Sequence, residues 1–393
     1  MTSCVERRIH LIARAALGVC CVLGMLAGCA PVPPSAPKGH GAAAVPAIDD
    51  SALKSLSADI RSGKYANIHG LLVLQDGESI WEDYFTGKDE RRGQAVGEVR
   101  FDAHSLHDAR SVTKSIVSAL FGVALAEGKI RDIDSPVLDY FPEYADLRTP
   151  QRAQIRLRHL LSMTSGIRWD ESSRPYGDAD NSETAMDRAA DPIRYVLEQP
   201  IAAEPGVKWE YSGGDTAVLA RIIERATGQD LDAYAQRVLF APLAFEKHEW
   251  LRYPNGTAIA SSGLRILPRD MAKIGALYLD GGRWRGRQIL PPSWVRDSLS
   301  PHAKIAERPF GFQNYGYQWW LGTARAGADG VPFAAAVGWG GQRIFVVPSM
   351  RAVVVVAAGL YGDPRQTDIT FEIVFDRVLP LLRASTVSAA SSR

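Results

Sequence analysis

The apolar positions of the chain follow two spacings. Ile68 to Gln75 and residues 78–85 are rich in β-formers and flank Asp76-Gly77, which predicts a hairpin. Ala352 to Ala358 is a near-continuous β-branched run. It predicts a central strand buried on both faces, joined to a strand over 343–347 across Pro348-Ser349-Met350-Arg351. Residues 316–322, with Tyr317, Trp319 and Trp320, predict an aromatic strand. Helical spacing links Ile116, Leu120, Val123 and Ala124 up to Gly128, and Leu219, Ile222, Ile223 and Ala226 up to Gly228. Glycine suits the left-handed residue just past a helix end. Further helices are predicted over 49–61, 157–163, 193–198, 271–280 and 367–382. Residues 88–108 show no period and read as irregular, and 130–144 as capped turns. Residues 169–187 form a long polar loop, of the kind that often carries function.

The N-terminus adds a different signal. Arg7, Arg8 and Arg14 outweigh Glu6, and an apolar run over 15–26 follows, too short for a comfortable final anchor. The run ends Leu26-Ala27-Gly28-Cys29, which resembles the lipobox of bacterial lipoproteins. That resemblance implies a signal peptide over 1–28, lipid on Cys29, attachment to a membrane through that lipid, and a place in the cell envelope facing the periplasm. A plain secretory signal cut nearby is the alternative. The four cysteines are Cys4, Cys20, Cys21 and Cys29, so a processed chain keeps Cys29 alone. No disulfide framework and no cysteine metal site is expected. The formal charge is +1, and loss of residues 1–28 removes three arginines and one glutamate, leaving a net −1. That balance gives no reason to expect nucleic-acid binding. Residues 29–47, rich in Pro, Ala and Gly, read as a flexible tether, and 384–393 as a disordered Ser/Ala tail. Between them, residues 48–383 are expected to form one domain with an insertion.

Candidate chemistry starts at Ser111. Lys114 lies three residues on, so on a helix both side chains share one face. Burial of an ammonium in apolar surroundings lowers its pKa, and a neutral amine can take the serine proton. The same S-x-x-K spacing occurs at Ser35/Lys38 and Ser51/Lys54, but only Ser111/Lys114 is followed by a core-like helix. The bland alternative is an N-capping serine with an ordinary first-turn lysine. Tyr211 sits on the loop leading into the second long helix, where it can carry a proton or simply pack on the core. Gly338-Trp339-Gly340-Gly341-Gln342 lies at the lip of a strand, where backbone N–H groups can meet an oxyanion or merely form a bulge. His104 and His107 read as structural residues, no Gly-x-Ser-x-Gly elbow, His-Glu-x-x-His or P-loop pattern is present, and neither a metal nor a cofactor is expected.

Taken together, Ser111-Val112-Thr113-Lys114, Tyr211-Ser212-Gly213 and Trp339-Gly340-Gly341 resemble, in order and rough spacing, the serine β-lactamase and penicillin-binding-protein superfamily. The likeness is greatest to its class C-related branch of 6-aminohexanoate-dimer hydrolases and esterases. Leu160 to Gly166, Gly263-Leu264-Arg265 and Asp270-Met271-Ala272 add to it, over residues 65–380. The resemblance implies an α/β (α+β) fold: an antiparallel sheet flanked by helices, with a mostly helical region over 126–254 and the site between. It makes Ser111 the nucleophile, Lys114 its base and Tyr211 the relay to the leaving group, through an acyl-enzyme. It places the oxyanion hole at the N–H groups of Ser111 and Gln342, or Gly341 with the register shifted by one. Trp339 would stand where many relatives have lysine or histidine, beside Gly340. Trp169, Asp170 and Asp180 would fall in the loop that shapes the substrate pocket. Two departures stand out. Tyr-Ser-Gly replaces Tyr-x-Asn, and Trp-Gly-Gly replaces Lys-Thr-Gly. An amide grip and a cationic anchor are therefore missing, which favours esters or small linear amides over β-lactams and D-Ala-D-Ala peptides. The rival from another class is a non-catalytic envelope lipoprotein that binds peptidoglycan.

Overall fold

A computed structural model describes residues 50–305, 311–326 and 329–382. The signal peptide, tether, Cys29 and C-terminal tail expected above lie outside them. Among the described residues, eight strands form one antiparallel sheet. Its order is Ala303–Lys304, Phe312–Tyr315, Trp320–Ala326, Asp329–Gly338, Gln342–Val347, Ala352–Ala358, Ile68–Gln75 and Glu78–Tyr84.

The β-branched run sits near the middle of this sheet because both of its faces are covered. Val353 and Val355 point to one core, with Leu72, Leu74, Ile344 and Val346, and with Met271, Ile274 and Leu277 of the helix Pro268–Leu279. Val354 and Val356 point to the other core, with Leu71, Val73, Phe345, Leu53 and Leu56. Phe371 and Phe375 from the C-terminal helical segment close that side. The two-residue period of a strand thus serves two cores at once, and each buried valine contributes about 1.5–3 kcal/mol.

Between 126 and 254 the described elements are helices and turns, except the short strand His248–Trp250. The helix Gly213–Thr227 packs there against Val112–Ala126, with Ser212 Oγ accepting the Asp215 N–H at 3.0 Å and Gly228 at φ 69° closing its end. These two helices, which place Ser111 and Tyr211, run side by side.

Three expectations are corrected. Residues 86–100 are a hairpin, Thr86–Arg91 with Gln94–Arg100, rather than irregular chain. Its strands are polar on both faces, so no alternation signals them. Residues 316–319 turn rather than extend, because Gln318 (φ 63°) sends its amide inward to Leu160 O, Leu161 O and Thr216 Oγ1; strands lie on either side at Phe312–Tyr315 and Trp320–Ala326. The polar loop ends in a helix, Ser182–Arg188, capped by the Asn181 side chain on the N–H groups of Glu183 and Thr184.

Candidate active site

Ser111 stands at the start of the helix Val112–Ala126, whose residues 112–124 are all buried. The residue before it, Arg110, adopts φ 50°, a conformation that costs a non-glycine residue about 1–3 kcal/mol and recurs at functional sites. Its side chain is held in place: the guanidinium lies over the Tyr361 ring at 4.9 Å and 3.5 Å from Asp108. The strand Asp329–Gly338 ends against this bend, and a Cβ on Gly338 would lie 2.4 Å from the Ala109 carbonyl. That close approach sets Trp339 beside the serine.

Lys114 Nζ donates to Ser111 Oγ at 2.9 Å and to the Ser261 carbonyl at 3.1 Å. It lies 4.9 Å from the centre of the Tyr211 ring, and the phenol interacts with both Lys114 and Ser111. The structure brings all three residues together. It corrects the expected charge of the lysine. Burial alone would lower its pKa, but the Tyr211 phenol and the carboxylates of Glu171 and Glu183 outweigh that, and the ammonium is held above the ordinary lysine range. Tyr211 is also raised, by burial, against the pull of Lys114.

The two acids are the residues that the sequence did not mark. Glu171 Oε2 accepts from Trp169 Nε1 at 2.7 Å and from the Gly213 N–H at 2.6 Å; Oε1 lies 3.9 Å from Lys114 Nζ. Burial and the Glu183 charge raise it to about 7, against Lys114. Glu183 Oε1 accepts from Ser261 and Ser262 at 3.0 and 2.8 Å. Despite burial it stays below the usual carboxylate range, held there by Lys114, Arg92 and the two hydroxyls.

Ser111, Tyr211 and Glu171 open on a cleft of about 860 Å³ that also has Tyr176, Trp339 and Arg343 in its walls. A smaller lobe of about 400 Å³ shares Ser111, Tyr176 and Trp339 and continues toward Asp187 and Ser262. Arg343 is buried at the larger lobe's floor, donating to the carbonyls of Gly338 and Gln342 at 2.6 and 2.9 Å, and burial lowers it to about 9.

Other expected site residues fall elsewhere. Gln342 is wholly buried and its amide bonds to the Ala358 carbonyl; a Cβ on Gly341 would meet Ala358 and Leu360. Neither faces the cleft. Gly340 spends its N–H on Gln366 Oε1 at 2.8 Å, which leaves Trp339 as the residue of this turn that lines the cavity. Trp169 turns inward against Gly214 and supports Glu171 rather than substrate. Asp170 folds its own loop by accepting from the N–H groups of Ser172 and Ser173 at 3.3 and 2.9 Å. Asp180 is exposed and lies 3.6 Å from Arg174.

The family model described as Beta-lactamase matches residues 64–374. The chain belongs to the β-lactamase family. This β-lactamase-family chain is 27% identical over 311 residues to the 6-aminohexanoate-dimer hydrolase of Paenarthrobacter ureafaciens, covering 75% of the chain and 72% of that relative. Esterase EstB of Burkholderia gladioli is 27% identical over 179 residues, 44% of each chain. The crystal structure of D-amino acid amidase from Ochrobactrum anthropi SV3 shares the fold, with a TM-score of 0.64 at 18% identity over 86% of this chain and 99% of that one. The chain is a serine hydrolase of this family.

Proposed function

We propose that the protein cleaves an ester or a small linear amide through an acyl-enzyme on Ser111, with Lys114 and Tyr211 moving the protons. The observation that carries this reading is the 2.9 Å hydrogen bond between Lys114 Nζ and Ser111 Oγ at the mouth of an 860 Å³ cleft. Ser111 Oγ attacks the carbonyl carbon, and the oxyanion meets the N–H groups of Ser111 and Trp339. Collapse of the adduct expels an alcohol or amine, which takes its proton from Lys114 through Tyr211. Water then attacks the acyl-enzyme by the same route, freeing the acid and restoring the serine. Preference for esters and linear amides follows from Gly213, which stands where the family carries an amide, and from the three-residue shift that gives Trp339 the oxyanion place expected of Gln342 and so puts Ala336, not Trp339, where the family carries a cation. The names of the hydrolase and esterase relatives point the same way. We also propose export and lipidation at Cys29, to be tested by mass spectrometry of the membrane fraction for a diacylglyceryl-modified N-terminus that Cys29→Ala abolishes.

The test of the activity is a panel of p-nitrophenyl esters, 6-aminohexanoate dimer, D-Ala-D-Ala peptide and nitrocefin, with fluorophosphonate labelling alongside. Esters or the dimer should turn over fastest, and both turnover and labelling should vanish in Ser111→Ala. Labelling that survives in Ser111→Ala, or nitrocefin turnover exceeding that of every ester and of the dimer, would refute the reading.

A further inference from the structure

An ammonium cannot accept the serine proton, yet Lys114 is held charged at rest. The base must first lose a proton, and among the described residues Glu171 Oε1 is the carboxylate oxygen within 4 Å of it. Glu171 is pinned through Oε2 by two donors, Trp169 Nε1 and the Gly213 N–H, so its Oε1 is presented toward Lys114 Nζ at 3.9 Å. Oε1 has one weak hydrogen bond, from the Tyr176 hydroxyl at 3.5 Å, and so retains room for a proton.

The sequence makes this placement possible at Gly213. A Cβ there would lie 2.7 Å from Glu183 Oε2 and 3.0 Å from Glu171 Oε2. The two carboxylates occupy the space into which a side chain on the third residue of Tyr-Ser-Gly would project. Their environments also separate them. Glu183 accepts two serine hydroxyls and is held below the usual carboxylate range, whereas Glu171 is raised to about 7, where it can both take and return a proton. Paired acids pushed apart in this way take different roles.

We propose that Glu171 is the proton store of Lys114, acting through the lysine on the reaction at Ser111. Lys114 Nζ turns from the Ser261 carbonyl, closes the 3.9 Å gap to hydrogen-bond range and gives a proton to Glu171 Oε1, leaving a neutral amine. That amine takes the Ser111 proton as the Oγ–C bond forms and the carbonyl electron pair moves to oxygen. The proton then leaves with the alcohol or amine. Water supplies the next proton to Lys114, which returns it to Ser111 Oγ as the acid departs. Glu171 finally gives its proton back to Lys114. Glu183 keeps its charge throughout and steadies each ammonium that forms. The charged and titratable groups around Glu171 are Lys114, Tyr211, Glu183, Tyr176, Asp215 and Tyr315.

This inference rests on the acyl-enzyme reading and is tested by the pH profile of kcat/KM for a p-nitrophenyl ester in wild type, Glu171→Gln and Ser111→Ala. With the acceptor gone, Lys114 must lose its proton to solvent against Glu183. The acid limb of Glu171→Gln should move up by about one pH unit or more, with activity at pH 7 down about 10–100-fold and recovering in alkali. A uniform fall at every pH, or a limb that moves down, overturns the proposal. If Glu171→Gln does not fold by circular dichroism, Glu171→Asp decides. It should keep the wild-type limb at lower kcat, and loss of that limb overturns the proposal. An inactive Ser111→Ala beside an unshifted Glu171→Gln removes this inference alone, and an active Ser111→Ala removes the reading beneath it.

Discussion

Tyr176 stands edge-on to Trp339, with ring centroids 5.5 Å apart and planes at 71°, and this pair divides the cleft into its two lobes. One ring comes from the polar loop and the other from the turn beside Ser111. Both are large aromatics left 42% and 37% exposed, so they offer apolar surface to a substrate rather than to the core. Trp339→Ala keeps the backbone N–H and removes that wall. Losing that wall uncovers about two CH2 groups of the substrate, worth about 1–2 kcal/mol. KM for an aliphatic p-nitrophenyl ester should rise about 5–30-fold, with kcat changed little and Tm held. A fall in kcat at constant KM would show that the indole acts on the chemistry instead.

Gly213→Ala tests whether the two acids fill the space at that position. The backbone there is helical, so alanine is conformationally allowed and favoured by up to about 1 kcal/mol. Against this stands overpacking, about 1–3 kcal/mol, because the methyl would meet Glu183 Oε2 at 2.7 Å and Glu171 Oε2 at 3.0 Å. The clash is the larger effect. Thermal denaturation should show a Tm several degrees lower, together with reduced ester turnover from displaced carboxylates. An unchanged or raised Tm would mean that the carboxylates can give way freely.

How much of this arrangement was legible in the sequence depends on how local its signal is. Ser111 and Lys114 were legible because one helical turn joins them, and the apolar run behind them marks that helix as buried. The strand Ala352–Ala358 was legible because both faces carry valine and alanine. Tyr211 was legible through the helix start at Ser212, whose side chain caps it. Glu171 and Glu183 were not, because they reach Lys114 from a loop and a seven-residue helix whose composition marks them only as polar chain. Trp169 and Asp170 lie in the same loop, but composition does not say which way a side chain turns; the indole faces in and Glu171 faces the site. At 339–341, a turn with two adjacent glycines at φ 80° and 92° blurs the register by up to three residues, which moves the cleft-facing position from Gln342 to Trp339.

His69 and His107 predict how the fold responds to acid. Both are buried beside Phe101, stacked against its ring at 3.9 and 4.6 Å. Burial lowers His69 to about 3 and His107 to about 4. Groups whose pKa is depressed on folding contribute stability that is fully present above the unfolded value near 6.5. That stability is lost as pH falls toward 4 and 3, because the unfolded chain takes up protons that the folded chain refuses. The limiting effect is roughly 3–5 kcal/mol per histidine. The two histidines should therefore pull urea midpoints down between pH 6.5 and 4, against the raised carboxyls of Glu171, Asp89 and Asp187, which act the other way over the same range. In His107→Gln, which removes one titrating group, the fall should be shallower. An identical slope in wild type and variant would exclude His107 as a source.

Lys114→Met separates the electrostatic role of the lysine from its chemistry. Activity should fall at least about 1,000-fold, since neither base nor ammonium remains. Stability should fall as well, and in a pH-dependent way. Glu171 and Glu183 would lose the cation they both face, and breaking a buried ion pair by removing one partner costs about 3–5 kcal/mol. Without Lys114 both carboxyl groups should titrate higher in the folded state than they do beside it, so ionising them costs stability that the lysine otherwise offsets. The deficit is therefore largest in alkali and shrinks as pH falls through those raised values. Thermal denaturation of wild type and variant at pH 8 and pH 5 should show a Tm gap that is wider at pH 8. Histidine protonation acts on both proteins alike and cancels from the gap. A gap that is constant, or wider at pH 5, would mean that the lysine does not balance these two acids, and that their charge is met elsewhere in the cleft.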